Sequence, residues 1–132
     1  MSSRVSHRKL APWLPALAWL VFIFWLSSCS HLRTPGPEFQ YKDKIGHWAL
    51  YCILGGLIAY ALRRASTLSL PKTIVLAIVL SSAYGAFDEV YQRRVPHRRC
   101  DATDWLADTL GAAAAAMAFY VYESARSTKT NR

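Results

Sequence analysis

Residues 73–90 read TIVLAIVLSSAYGAFDEV, and this stretch decides the fold class. Its apolar residues run on without the period-2 alternation of a half-buried strand. Its length is what a helix rising about 1.5 Å per residue needs to cross a hydrocarbon core about 30 Å thick. An open strand in lipid would leave its backbone groups unpaired, so a helix is the form that remains. The run ends on Asp88-Glu89, two adjacent carboxylates at the lip of an apolar block. Outward from it, further blocks of roughly 15 to 20 apolar residues, the span length of a helix, occupy 10–26, 45–62 and 102–122. With 53% hydrophobic and only 18% charged residues in a chain of 132, the pattern predicts an all-α, polytopic membrane bundle of about four transmembrane helices.

The breaks between blocks carry loop punctuation: Thr34-Pro35-Gly36-Pro37, then Arg63-Arg64-Ala65-Ser66-Thr67, then Arg93-Arg94-Val95-Pro96-His97-Arg98-Arg99. No internal repeat or second domain is visible. The expected organisation is one membrane domain over 10–123, between short basic cytoplasmic tails at 1–9 and 124–132 that are expected to be disordered. Trp13, Trp25, Trp48 and Trp105 lie near block ends, where amphipathic rings favour the membrane interface, while Trp19 is mid-block.

A formal charge of +8 raises nucleic acid as a partner, but the basic residues lack the clustered helix or zinc framework of a groove reader. The lipid bilayer is the expected partner, and topology accounts for the charge. With the amino terminus in the cytoplasm, inner segments hold Arg4, Arg8, Lys9, Arg63, Arg64, Lys72, Arg126, Lys129 and Arg132. The outer segments hold Arg33, Lys42, Lys44, Arg93, Arg94, Arg98 and Arg99, so the inner side has the excess and both termini are expected inside. All the acids except Glu123 fall toward the outer end, where they can pair with those outer cations.

Cys29 and Cys100 fall on the outer side and could pair if close, but three cysteines make no disulfide framework, and Cys52 reads as a small core residue. Leu26-Ser27-Ser28-Cys29 after a basic start and an apolar run also resembles a lipoprotein cleavage site. The long, Trp-rich run argues instead for a retained first helix.

Charged groups at the bilayer centre cost about 2.5–3.5 kcal/mol on insertion scales, so those here must be paired, interfacial or useful. In the second block, Lys44, His47 and Tyr51 share one helix face, and Asp43 opens the first turn, where a carboxylate suits the helix dipole. At the end of the third, Asp88 and Glu89 both reach Gln92 at helical spacing while pointing in different directions. Adjacent carboxylates repel unless a cation or a shared proton intervenes, which would raise the pKa of one. The fourth block opens with Asp104 and Asp108, four apart, with Gly111 and the alanines 112–116 offering a narrow packing surface on the same helix. Capping and helix-dipole roles compete with function for the two aspartates, and an N-cap role competes for Asp43.

Taken together, Asp43-Lys44-x-x-His47-x-x-x-Tyr51, Asp88-Glu89-x-x-Gln92, and Val95-Pro96-x-Arg98 followed by Asp104-x-x-x-Asp108-Thr109-Leu110-Gly111 resemble the VanZ-like family of small bacterial membrane proteins. Ser27-Ser28 fits the family's usual Ser-Ser at the end of the first span. The resemblance runs from about residue 13 to about residue 116. This sequence departs from the family pattern at His97, where glycine is common, at Arg99-Cys100-Asp101, where small residues or serines are usual, and at Asp108, where asparagine is frequent. The resemblance implies the bacterial cytoplasmic membrane and an envelope role, the founding member being associated with teicoplanin resistance.

Two expectations follow. In one, the protein is an envelope factor that binds a lipid-linked or cell-wall precursor, or another membrane protein. In the other, it is a membrane enzyme with Asp88 or Glu89 as general acid/base, His47 as proton partner, and Arg98 gripping an anionic group. Asp43, Lys44, Tyr51, Gln92, Arg98, Asp104 and Asp108 are the expected substrate-binding groups, and Arg98 is expected to pair with at least one of Asp88, Glu89, Asp104 or Asp108. Ion translocation is set aside because the inner halves of the spans are almost purely apolar. No cofactor and no metal are expected, since no His-x-x-x-His or paired-Cys spacing occurs.

Overall fold

A computed structural model describes residues 9–29, 41–98 and 100–130. The basic stretch 1–8, the turn Thr34-Pro35-Gly36-Pro37, Arg99 and residues 131–132 lie outside them. All the regular secondary structure among the described residues is helical, with no strand. A 3-10 turn, Ala11–Trp13, leads into α1 (Leu14–Ser28), followed by α2 (Lys42–Ala65), α3 (Leu70–Gln92) and α4 (Ala102–Thr130).

Local chemistry sets the helix ends. Proline stands in the first turn of the 3-10 segment, of α1 and of α3, where an N–H has no intrahelical acceptor to lose. At the far end of α2, the Ser66 hydroxyl donates to the Leu62 carbonyl at 2.6 Å and the Ser66 N–H to the same oxygen at 3.0 Å, closing the last turn. α4 continues to Thr130, past the expected boundary at 123, so the polar stretch from 124 is helix through that residue.

Three segments are long and apolar enough to cross a membrane: Ala11–Ser28, Lys42–Ala65 and Leu70–Gln92. α4, with 29 residues, has the length, but Asp104, Asp108 and Glu123 dilute its apolar content. It is nonetheless built into the bundle. Lys44 meets Asp104 at one end and Arg63 meets Glu123 at the other, so α2 and α4 run parallel and in contact along their length. Ser27 on Asp88 and Tyr84 on the Leu20 carbonyl set α1 parallel to α3. The chain thus goes up, down, up and down.

The apolar surface faces outward. Val21, Trp25, Ile53, Val75, Val79, Phe87, Leu106, Leu110 and Val121 are exposed, while Asp88, Glu89, Gln92 and Asp108 are buried. This inversion is stable in hydrocarbon and costly in water. The interior has two halves. Leu54, Ile58, Ala59, Leu62, Ile74, Ala77 and Ala116 form an apolar core at one end, and polar groups fill the other.

Small residues bring α2 and α4 together. A Cβ on Gly55 would stand 2.6 Å from the Ala112 Cα, and one on Gly111 would collide with the Trp48 carbonyl oxygen. Only glycine permits backbones this close, as in other membrane helix pairs.

Candidate functional site

The up-and-down path brings the end of α1, the start of α2, the end of α3 and the start of α4 to one end of the bundle. All three sequence motifs fall there. Lys44 and His47 point from α2 toward α4, where Asp104 and Asp108 meet them, while the Tyr51 ring lies beside Gly85 and Tyr84 of α3. Asp43 lies in the first turn of α2.

His47 and Asp108 are the centre of the arrangement. Nδ1 of His47 lies 3.0 Å from Oδ1 of Asp108, which is fully buried, and 3.9 Å from Oε1 of Glu89. Below them, a Cβ on Gly85 would stand 3.0 Å from Oδ2 of Asp108 and 3.3 Å from the Tyr51 ring. The tyrosine and the aspartate therefore share the space that glycine leaves.

Asp88 and Glu89 diverge, as their adjacent positions on a helix require. Asp88 turns to α1 and accepts from the Ser27 hydroxyl at 2.6 Å and from Gln92 Nε2 at 3.1 Å through the same oxygen, Oδ2. Glu89 turns to α2 and α4, and its Oε2 accepts the Asp101 backbone N–H at 2.9 Å. Gln92 thus serves Asp88, at the spacing read from sequence.

At the rim, Lys44 Nζ donates to Asp104 at 2.7 Å, to Asp101 at 3.1 Å and to the Thr103 hydroxyl. Asp101 also accepts from the Thr103 hydroxyl and N–H, the turn that starts α4. Those Thr103 bonds first, and the Lys44 ammonium after them, hold the Asp101 carboxyl at about 2, below its ordinary 3.8.

Four buried polar atoms have no hydrogen-bond partner among the described residues: Tyr51 Oη, Asp88 Oδ1, Glu89 Oε1 and Asp108 Oδ2. An imidazole held by one carboxylate and facing another can take up or release a proton. The same oxygens can receive donors or a cation.

The VanZ/LLP1 family model matches residues 5–123. The chain belongs to the VanZ/LLP1 family. No curated protein and no solved structure matches it.

In this VanZ/LLP1 chain one expected role changes. Arg98 makes no ion pair with Asp88, Glu89, Asp104 or Asp108. Its guanidinium donates to the carbonyls of Leu26 at 3.2 Å and Cys29 at 3.4 Å, closing the C-terminal end of α1. The charge bears on Asp88 through space alone. The reason is reach: the α3–α4 turn carries Arg98 across the end of α1, where the guanidinium adds a donor to the Leu26 carbonyl, which already takes the Cys29 N–H, and to the Cys29 carbonyl. His97, where the family commonly has glycine, takes a φ of 64° in that turn, the left-handed region glycine favours.

Sequence reasoning missed three participants. Ser27 was legible only as part of the family's Ser-Ser, and nothing local pointed it at Asp88. Asp101 and Thr103 read as loop and helix start, although the run of charge there was a signal. Cys29, Cys52 and Cys100 are all free thiols.

Proposed function

We propose that this VanZ/LLP1 protein spans the bacterial cytoplasmic membrane with all four helices, both termini inside, and that its polar end faces outward and binds or acts on a cell-envelope component. The observation that carries this reading is the set of unpaired buried atoms on Tyr51, Asp88, Glu89 and Asp108. Each unpaired buried polar group costs about 1–3 kcal/mol, so a network that only ties helices together is expected to satisfy them. Gathered at one end beside His47, they suit a site completed by a ligand. The family resemblance suggests a component whose state alters glycopeptide susceptibility.

The test is Glu89→Gln, which keeps the shape and removes the charge. The expected result is a chain that melts and accumulates like the unaltered one but no longer changes the teicoplanin susceptibility of its host. Loss of stability and abundance in step with the phenotype would favour a purely structural cluster. If the unaltered chain leaves susceptibility unmoved, the glycopeptide part of the reading fails.

The His47–Asp108 bond favours a catalytic second reading. Asp108 orients the imidazole and stabilises it when protonated, so His47 can act as general base toward a lipid-linked envelope substrate, with Glu89 or Asp88 as partner acid. Turnover of such a precursor by purified protein separates this from binding alone.

A further inference from the structure

We infer that His47, Glu89 and Asp104 form a binding site for a single divalent transition-metal ion. The inference rests on the reading of this end of the bundle as a ligand site. One ligand atom from each residue lies within 4.8 Å of the other two. Two ligands at about 2.0–2.2 Å from one ion stand at most about 4 Å apart, so small side-chain rotations close the set. The residues come from α2, α3 and α4, so backbone packing, not loop placement, positions them.

An independent observation points to a ligand. Glu89 is 3% exposed, and its Oε1 has no hydrogen-bond partner among the described residues while lying 3.9 Å from His47 Nδ1. Its other oxygen is fixed by the Asp101 N–H, which holds the open one toward the histidine. Asp108 supplies what a ligating histidine requires behind it. Asp108 on Nδ1 orients the imidazole, settles its tautomer and leaves Nε2 as the nitrogen able to coordinate, so the 3.9 Å from Glu89 Oε1 to Nδ1 measures how near Glu89 stands to the ring and is not a ligand-to-ligand distance.

Charge favours a cation as well. Asp88, Glu89, Asp104 and Asp108 converge here, and the nearest cations are engaged: Lys44 holds Oδ1 of Asp104, and the hydrogen bonds of Arg98 go to carbonyls of α1. Lys44 leaves the second oxygen of Asp104 to an ion. A nitrogen ligand among carboxylates suits Zn2+ or Mn2+ better than the all-oxygen preference of Ca2+ or Mg2+. Such an ion would give an acid-lined end a positive centre able to hold a phosphate or other anionic group of an envelope component, a role that neither Lys44 nor Arg98 is placed to fill.

The experiment uses the full chain in detergent micelles, stripped with a chelator and titrated with Zn2+ alone and with Mn2+ alone. A single ion per chain is expected, with a raised melting temperature. His47→Gln, Glu89→Gln and Asp104→Asn should each weaken binding by at least about tenfold, given what ligand-sphere changes do elsewhere. Glu123→Gln, which alters an acid at the opposite end of the bundle, should leave affinity close to that of the unaltered chain. Pulsed EPR of the Mn2+-loaded unaltered chain should carry a histidine nitrogen coupling, a readout independent of whether any variant folds. Absence of binding, equal binding by all the variants, or a Mn2+ spectrum without nitrogen coupling overturns the site. Should the ion fail while folded Glu89→Gln still loses the phenotype, the envelope reading stands without it. Should the ion bind while those substitutions leave the phenotype intact, the ion stands and the envelope reading falls.

Discussion

His47 and Asp108 lie 61 positions apart in the chain, yet the imidazole Nδ1 and the carboxylate Oδ1 stand at 3.0 Å, with Asp108 fully buried. The contact joins α2 to α4 at the depth where Gly85 leaves room on α3. Removing the carboxylate therefore breaks a hydrogen bond and opens space together. Asp108→Ala is expected to lower stability by about 2 kcal/mol, within the range for hydrogen bonds to charged groups. Asp108→Asn, the residue frequent at this position in the family, should recover most of that in thermal unfolding and keep the envelope phenotype through its hydrogen bond to His47. Loss of phenotype in a folded Asn variant would show that this chain needs the negative charge behind His47.

Arg98 gives a prediction opposite to its first reading. Because its guanidinium closes the end of α1, Arg98→Gln should speed amide exchange near Leu26 and Cys29 and lower stability by about 1 kcal/mol, as the loss of a helix-end donor does. The phenotype should fall only as far as the folded fraction falls. Loss of phenotype with unchanged exchange in α1 would return Arg98 to a ligand-gripping role.

Two neighbouring glycines should behave differently. A Cβ on Gly55 would stand 2.6 Å from the Ala112 Cα, whereas one on Gly56 would meet only the Ala115 Cβ at an ordinary 3.7 Å. Gly55→Ala should destabilise by about 1–3 kcal/mol through overpacking of α2 on α4. Gly56→Ala should be neutral or stabilise by up to about 1 kcal/mol, the helix gain of alanine over glycine. Unfolding in denaturant on both variants measures the difference, and equal effects would contradict the α2–α4 approach.

The Asp101 carboxyl should titrate near 2, not at 3.8. Since folding depresses this pKa, its contribution to stability is complete above the unfolded value of 3.8 and is lost as pH falls through about 2. Over ordinary pH it is constant. Carboxyl carbon NMR of the labelled protein follows the titration directly. Thr103→Ala, which removes the hydroxyl bond and keeps the N–H bond, should move the midpoint upward, and so should Lys44→Gln, which removes the neighbouring ammonium.

Topology is open to direct labelling. In a background lacking the native cysteines, single Cys probes at 93–98 should react with an impermeant reagent from outside, and probes at 66–69 only after the membrane is opened. The reverse pattern would move the polar end to the cytoplasm and remove the envelope component as its ligand.

Residues 73–90 sufficed to read a spanning helix, and the blocks around 10–26, 45–62 and 102–122 located the other helices, because span length and apolar content are properties of a continuous stretch of chain. Spacing was equally local. Lys44, His47 and Tyr51 on one face, and Asp104, Asp108 and Gly111 on another, follow from the helical repeat, and alternating chain direction puts their motifs at one end. What no local pattern carries is the rotation of each helix about its axis and the distance between axes. The close approach at Gly55 and Gly111 fixed those for α2 and α4, and so decided that His47 takes Asp108 while Lys44 takes Asp104. The same tertiary placement sent Arg98 to the carbonyls of α1, brought Ser27 to Asp88 and left Glu89 with an open oxygen facing His47. The sequence determined which groups reach the polar end, and packing alone decided their partners, since a hydrogen bond depends on tenths of an ångström that helix periodicity does not encode.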